Sequence, residues 1–270
     1  MLVLVGGHES GGAEALQPLA ASGHAFRAVG VGRDLVRAVA DALAAVPGGP
    51  VCVVPMTLGR DPRLVADTAR GLRWLAGPAT VGRVALTEPF GSAGHLVGWL
   101  RAAAGRAAAS AVLVTARAAG PFEDAELFRI ARLVRQYGAH RWVEVAFTGG
   151  DPDVDEGVDR CRRLGATEVL LVPAGFGPAA PASTSVAGAV DGGPLLSPHA
   201  VAGVLAARAH EALRRLRDGD DGIAAGLDAE HGHGYAHSHA SVTEATPAAT
   251  DPHPHPHPHL HRHVRHHAHH

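Results

Sequence analysis

The strongest constraint on the fold is a regular alternation of short apolar segments with longer amphipathic segments over residues 1–216. Met1–Val5 (MLVLV) and Val51–Pro55 (VCVVP) are apolar throughout and show no polar/apolar alternation. Such runs are typical of parallel strands that are covered on both faces. Helices between parallel strands supply the crossover connections that such a sheet needs. The sequence therefore predicts an α/β fold built on parallel sheets.

The same pattern gives approximate positions for the individual elements. Asp61 and Pro62 suit the cap and the first turn of a helix, which places one helix start. Strands are expected at 1–5, 25–31, 51–55, 81–86, 111–115, 142–147 and 168–173. Helices are expected at 13–22, 33–46, 61–75, 95–109, 122–136, 153–164 and 198–216.

The second half of this pattern repeats the first. VCVVPM at Val51–Met56 is similar to VLLVPA at Val169–Ala174, and each ends a strand at Val-Pro. EPFGSAGHLVGWLRAA is similar to GPLLSPHAVAGVLAAR, so His95 and His199 both fall at a helix start. A duplication predicts two tandem domains, 1–107 and 108–218, each a four-stranded parallel sheet flanked by helices. Chance similarity among Ala/Val/Leu-rich segments is the alternative.

The first strand ends in Gly6-Gly7-His8-Glu9-Ser10. In an open α/β sheet, ligands bind at the carboxyl ends of the strands. His8 is therefore a candidate metal ligand or proton acceptor, since its imidazole can be neutral near pH 7. The alternative is that His8 is only a polar residue on a turn.

Residues 219–270 lose the periodicity and are predicted to form a disordered tail with no packed fold. The tail holds fourteen of the chain's twenty histidines. They are His231, His233, His237, His239, His253, His255, His257, His259, His261, His263, His266, His267, His269 and His270. A flexible imidazole array can bind several late first-row metal ions and release them below about pH 6. A low-complexity tail without function, or a purification tag, would also account for it.

Several functional classes are excluded or disfavoured. The chain has no lysine, so it can form neither a P-loop nor a Schiff base. Gly30–Leu35 lacks the third glycine of a dinucleotide fingerprint, and Gly7–Gly11 has its serine one place from the nucleophile-elbow position. We therefore expect no nucleotide cofactor and no serine hydrolase. The formal net charge of −2 offers no basic surface for nucleic acid or anionic membrane.

Other segments have less specific interpretations. Cys52 and Cys161 show no metal or disulfide spacing, and no signal peptide or membrane span is evident, so we expect a cytoplasmic protein. The Ala/Pro/Ser-rich loop 175–193 is either a working lid or a remnant. Three carboxylates at the start of a predicted helix, Glu123, Asp124 and Glu126, suit the helix dipole better than acid catalysis.

With these motifs the chain resembles the sirohydrochlorin cobaltochelatase family, the CbiX/SirB class II chelatases, in its long two-domain form. The resemblance covers about residues 1–216 and is most specific over 111–173. In the first half it rests on Gly-His-x-Ser and the VVPM strand end, and at the C-terminus on the His-rich tail. In the second half, Arg117 stands near the place of the family's Arg-Gly-Ser motif. It is followed by DAELFRIAR (124–132), WVEVAF and GVDRCRRLGATEVLLVP.

The resemblance implies an enzyme that inserts a divalent metal into a tetrapyrrole without ATP, with the macrocycle bound between two pseudo-symmetric halves of one chain. It implies cobalt as the favoured metal, with nickel or iron as possibilities, and gives His8 the role of metal ligand or proton acceptor.

Three positions depart from the family's pattern. The loop MTLGRDPRL lacks the family's second histidine, near Arg63, and Val29 and Gly30 stand where an acidic residue is usual. Arg117 occupies the second-half position that corresponds to His8. These losses favour an alternative: a catalytically impaired chelatase-fold protein that binds, stores or delivers cobalt or nickel through its tail.

Overall fold

The computed structural model describes residues 1–21, 26–106, 108–180 and 188–229, which contain two four-stranded sheets. The first sheet consists of β1 (Leu2–Gly6), β2 (Phe26–Val29), β3 (Val51–Met56) and β4 (Val84–Leu86), in the order β2-β1-β3-β4. The second consists of β5 (Ala111–Arg117), β6 (Trp142–Thr148), β7 (Val169–Pro173) and β8 (Ala189–Asp191), in the order β6-β5-β7-β8. Every pair is parallel, so the predicted α/β fold with two four-stranded parallel sheets is confirmed.

The helices flank these sheets. They are α1 (Gln17–Ala21), α2 (Arg33–Ala45), α3 (Pro62–Trp74), α4 (Ala93–Ala104), α5 (Pro121–Tyr137), α6 (Val154–Arg163), α7 (Pro198–Arg217) and α8 (Ile223–Leu227). The helix start predicted from Asp61 is confirmed, because the Asp61 side chain accepts the Leu64 N–H at 2.9 Å.

Three predicted elements have different bounds in the structure. The helix predicted at 13–22 starts one residue later, because Ala13 has a positive φ, and it begins as a 3₁₀ turn, Glu14–Leu16, that continues into the short α1. Of the strand expected at 81–86, only Val84–Leu86 forms, as β4, because the N–H groups of Val81 and Arg83 donate to carbonyls of the turn at 77–80. The helix expected at 95–109 begins at Ala93 behind its Ser92 cap and ends at Ala104.

The fourth strand of the second sheet lies inside the segment that was expected to be a loop, 175–193. β8 pairs with β7 over Ala189–Asp191. The Ala and Gly residues around this strand form no hydrophobic pattern that would predict it. The strand is also short and partly exposed, as edge strands often are.

The last helix of each half packs against the other half. Helix α4 follows the first sheet but contacts α5 and β7. Helix α7 follows the second sheet but contacts β3 and β4, where Ala212 packs against Cys52 and Ala85. A single core also contains side chains from both sheets, including Leu4, Met56, Val114 and Val172. Each of the predicted segments 1–107 and 108–218 contains one of the two sheets, but their helices and core side chains pack against each other. Both halves therefore belong to one compact unit.

The predicted start of the tail at 219 is too early. Gly226 of α8 packs against Leu86 and Ala69, and the Leu86 N–H donates to the Asp221 carbonyl at 2.8 Å. The segment 219–229 is thus part of the folded unit. The fourteen tail histidines lie outside the described residues. Within the described ranges, no helix is both long enough and apolar enough to cross a membrane.

Candidate functional site

His8 lies in a 3₁₀ turn, His8–Ser10, directly after β1. Its Nδ1 is 3.0 Å from Oδ2 of Asp61, and its backbone N–H donates to the same oxygen at 3.3 Å. A Cβ at position 7 would collide with Oδ2 of Asp61, so a larger residue there would displace this carboxylate from His8. The approach of α3 to the end of β1 therefore depends on Gly7.

This contact determines which nitrogen of His8 is available. When Nδ1–H donates to Asp61, Nε2 carries the free lone pair. Nε2 is buried and has no hydrogen-bond partner among the described residues. A carboxylate that holds one ring nitrogen while the other stays free is the usual arrangement behind a metal-binding histidine.

The charges around His8 favour its protonated form. Burial opposes the charge, but the hydrogen bond to Asp61 and the negative charges of Glu9 and Asp61 outweigh burial, so the pKa of His8 is raised. For Asp61, burial likewise opposes the charge, but the hydrogen bond and the charge of His8 prevail and its pKa is lowered. The two groups therefore form an ion pair when His8 is protonated, and His8 is a stronger base than a free imidazole.

Glu9 is an unexpected buried carboxylate, only 6% exposed. Its Oε2 accepts hydrogen bonds from the Thr57 hydroxyl and, at 2.9 Å, from the Leu58 N–H. Its Oε1 is buried without a partner among the described residues. Burial raises the pKa of Glu9 although Arg60, Thr57 and His8 act in the opposite direction. A second atom with a free lone pair thus lies one residue from His8.

Arg60 connects this cluster to the second half. Its guanidinium is fully buried, its Nε donates to the Glu123 carbonyl at 3.2 Å, and its Nη2 lies 3.5 Å from Oδ1 of Asp124. The geometry to Asp124 is that of an ion pair without a hydrogen bond, so both Nη atoms lack a hydrogen-bond acceptor within the described ranges. Of the three carboxylates predicted at this helix start, Glu123 and Asp124 lie in the first turn of α5, and Asp124 in addition balances a buried charge. Glu126 lies one turn later and pairs with Arg129.

A cleft of about 350 Å³ opens between the two halves beside this cluster. Glu9 lines one wall, and the carboxyl ends of β5, β6 and β7 form the opposite wall. The loop after β7 closes one end, where the Phe176 N–H donates to the Glu9 carbonyl at 3.0 Å. The lining residues include Glu9, Ser10, Gly11 and Glu14 from the first half and Thr115, Arg117, Thr148 and Gly175 from the second.

The two other histidines singled out from the folded part of the sequence lie at helix starts. His95 lies at the third position of α4, where it forms a capping box with Ser92, and His199 follows the Ser197 cap of α7. Both are helix-start residues, as predicted. In the part of the chain that the structure describes, no three His, Cys, Asp or Glu side chains come together as a metal-binding group.

Sequence reasoning missed Glu9, Arg60 and the contact of Asp61 with His8. Charged side chains are usually at the surface, so a charge pattern alone gives no signal of their burial. One signal was present for Asp61. A helix cap that follows the strand next to β1 must lie at the same edge of the sheet as His8.

Comparisons with known proteins agree with this architecture. Residues 118–192 match the model of the CbiX family, and this segment runs from the start of α5 to β8 and does not include His8. A segment of 66 residues, which is 24% of this chain, is 38% identical to a sirohydrochlorin cobaltochelatase of Priestia megaterium. The match spans 22% of that relative's length. Residues 118–192 are therefore similar to the CbiX family of chelatases, and it is this segment of the chain that carries the similarity.

Proposed function

We propose that this protein inserts a divalent metal ion, with cobalt favoured, into a sirohydrochlorin-type tetrapyrrole without ATP. The observation that carries the proposal is a pair of buried atoms without hydrogen-bond partners on adjacent residues, Nε2 of His8 and Oε1 of Glu9. Of these two residues, Glu9 lines the cleft that both halves form. Chelatases act on a metal and a tetrapyrrole, and the relative from Priestia megaterium is named for cobalt and sirohydrochlorin.

The ligand set suits a metal that must be passed on. A resident metal site has three or four protein ligands, which retain the ion. Here the described residues hold no group of three possible ligands, and the donor atoms without partners belong to two residues adjacent in sequence, His8 and Glu9. Two donors leave coordination positions open for the ring nitrogens, so the ion can leave the protein as the macrocycle takes it up.

His8 would also accept a proton. Insertion replaces two pyrrole N–H protons by the metal ion, and those protons need a base. Asp61 raises the basicity of His8 and fixes its orientation through Nδ1. We assign His8 the role of metal ligand or proton acceptor and Asp61 the role of positioning residue.

The test is an insertion assay that follows the absorbance of sirohydrochlorin with cobalt, nickel or iron. We expect His8→Ala to reduce the rate about a hundredfold or more, the range in which a positioned base contributes. His199→Ala is the matched control, because His199 is an exposed helix-start residue. Equal rates for His8→Ala and wild type would remove His8 from the mechanism, and no insertion by wild-type protein would refute the proposed activity.

A second candidate function rests on the fourteen tail histidines and on the absence of the family's second histidine near Arg63. In this candidate the protein binds, stores or delivers cobalt or nickel and has no turnover. Calorimetric titration should then show several ions per chain, most of them lost when the chain is shortened to residues 1–229, which keeps α8. Robust insertion by the shortened protein would rule this candidate out.

A further inference from the structure

The second-half wall of the cleft carries an exposed cation that the proposed chemistry does not use. Arg117 is the last residue of β5, and its side chain is 61% exposed. Its ion pair with Glu14, at 3.4 Å, joins two exposed side chains and is therefore weak. Arg117 can exchange this partner for an anionic ligand at little cost.

Two threonines lie beside Arg117 on the same wall. Thr115 is two residues earlier on β5, so its side chain is on the same face of the sheet. Thr115 is 1% exposed, lines the cleft, and its Oγ1 has no hydrogen-bond partner among the described residues. Thr148, at the end of β6, is the direct register neighbour of Arg117 and also lines the cleft.

We propose that Arg117, Thr115 and Thr148 form a subsite that binds a carboxylate side chain of the macrocycle. A guanidinium with nearby hydroxyl donors is suited to a carboxylate, because each N–H or O–H can donate to one of its oxygens. The unpaired Thr115 hydroxyl gives the subsite a donor that is already desolvated. This inference rests on the proposed function and assigns the residues that would hold an acid side chain of its substrate.

The two walls of the cleft have opposite charge. The first-half wall carries Glu9 and Glu14, and the second-half wall carries Arg117. Glu9 is next to His8, the proposed metal ligand. A macrocycle with carboxylates at its rim and a cation near its centre would be oriented by this arrangement, with the acid groups towards Arg117 and the metal towards His8.

The experiment measures binding of two metal-free porphyrins by absorbance titration, one with eight carboxylate side chains and one neutral and water-soluble. Arg117→Gln should weaken binding of the acidic porphyrin roughly tenfold or more, the loss expected for a charge-assisted hydrogen bond. Thr115→Val should weaken it in the same direction, and Glu14→Gln should strengthen it, because Arg117 is then released. Binding of the neutral porphyrin should be unchanged in all three variants.

Arg163→Gln is the matched control, since Arg163 is an exposed arginine that is paired on its own helix, α6. Equal affinities of Arg117→Gln and Arg163→Gln for the acidic porphyrin would overturn the inference, as would an equal loss for the neutral porphyrin. If wild-type protein binds the acidic porphyrin through Arg117 but inserts no metal, only the proposed function fails. If it inserts metal and binding does not depend on Arg117, only the subsite fails.

Discussion

The Nδ1 atom of His8 lies 3.0 Å from Oδ2 of Asp61, and the same aspartate caps α3 by accepting the Leu64 N–H through Oδ1. One carboxylate thus joins the end of the first strand to the start of a helix 53 residues later. Asp61 therefore acts both on the basicity of His8 and on the position of the helix.

Asp61→Asn separates these two roles, because an asparagine side chain still caps the helix but carries no charge. The raised pKa of His8 contributes stability that is full below its ordinary value of 6.5 and is lost as the pH rises through the folded pKa. The lowered pKa of Asp61 contributes stability that is full above 3.8 and is lost as the pH falls through the folded pKa. The ion pair therefore contributes most between these two values.

We accordingly expect urea unfolding to show a larger loss of stability for Asp61→Asn at about pH 5.2 than at about pH 8.5, because His8 is protonated only at the lower pH. Asp67→Asn, on the exposed side of α3, controls for general charge effects. A loss that is equal at the two pH values, or greater at pH 8.5, would contradict the ion pair.

Arg60→Met should lower the free energy of unfolding by about 3–5 kcal/mol, the cost of leaving a buried charge without its partner. Arg60 is 2% exposed, and its removal would take away the ion-pair partner of Asp124 and the guanidinium that stabilises the Glu9 carboxylate. The double variant Arg60→Met/Glu9→Gln should recover part of the loss, since the amide oxygen of the introduced glutamine can still accept the Leu58 N–H. Arg63→Met, on the exposed face, should change stability by no more than about 0.5 kcal/mol in the same denaturation experiment. A neutral effect of Arg60→Met would show that its charge is not needed for folding.

The crossed helices predict a single unfolding transition. Leu100 on α4 and Leu205 on α7 are both buried in the shared core. Changing either leucine to alanine should destabilise the whole unit by about 2–5 kcal/mol, measured by both tryptophan fluorescence and circular dichroism. Leu164→Ala, at a position that is 47% exposed, should have a much smaller effect. If the protein unfolds in two separate transitions and a variant shifts only one of them, the two halves do not unfold as one unit.

The two cysteines should be unreactive in the folded protein. Cys52 and Cys161 are free and buried, and burial raises the pKa of both thiols, that of Cys161 to about 11. Very little thiolate is present at pH 8, and thiolate is the species that reacts. Ellman's reagent should therefore detect two thiols in guanidinium chloride and essentially none in buffer. Rapid labelling of the native protein would contradict their burial.

The sequence was sufficient to predict the sheets because their central strands are apolar without interruption. Val51–Met56 and Val169–Pro173 are buried at every position, and few other structures would bury such runs. β8 was missed because only three residues of an edge strand need to pair, and Ala189–Asp191 has no hydrophobic pattern. The crossing of α4 and α7 was also missed, since an amphipathic pattern shows that a helix has a buried face but not which sheet covers it.

The site was predicted only in part. His8 was identified because glycines and a strand end precede it, but its assigned role is still a prediction. Burial of Glu9 and Arg60 depends on contacts between residues 48 to 63 positions apart, which no local pattern reports. The fourteen histidines beyond residue 230 lie outside the described residues, so their proposed metal binding also stays a prediction.

Because one chain supplies both walls of the cleft, a substitution in one wall is not repeated in the other. In a symmetric homodimer every change occurs twice, so a residue that improved substrate recognition would also replace the metal ligand at the related position. Here His8 follows β1 and Arg117 ends β5, and the strand register makes Arg117 equivalent to Gly7 and not, as expected from the sequence, to His8. The two walls already carry different side chains at the ends of these strands. The covalent link between the halves thus permits a division of labour, in which one wall can change its specificity while the other keeps its chemistry.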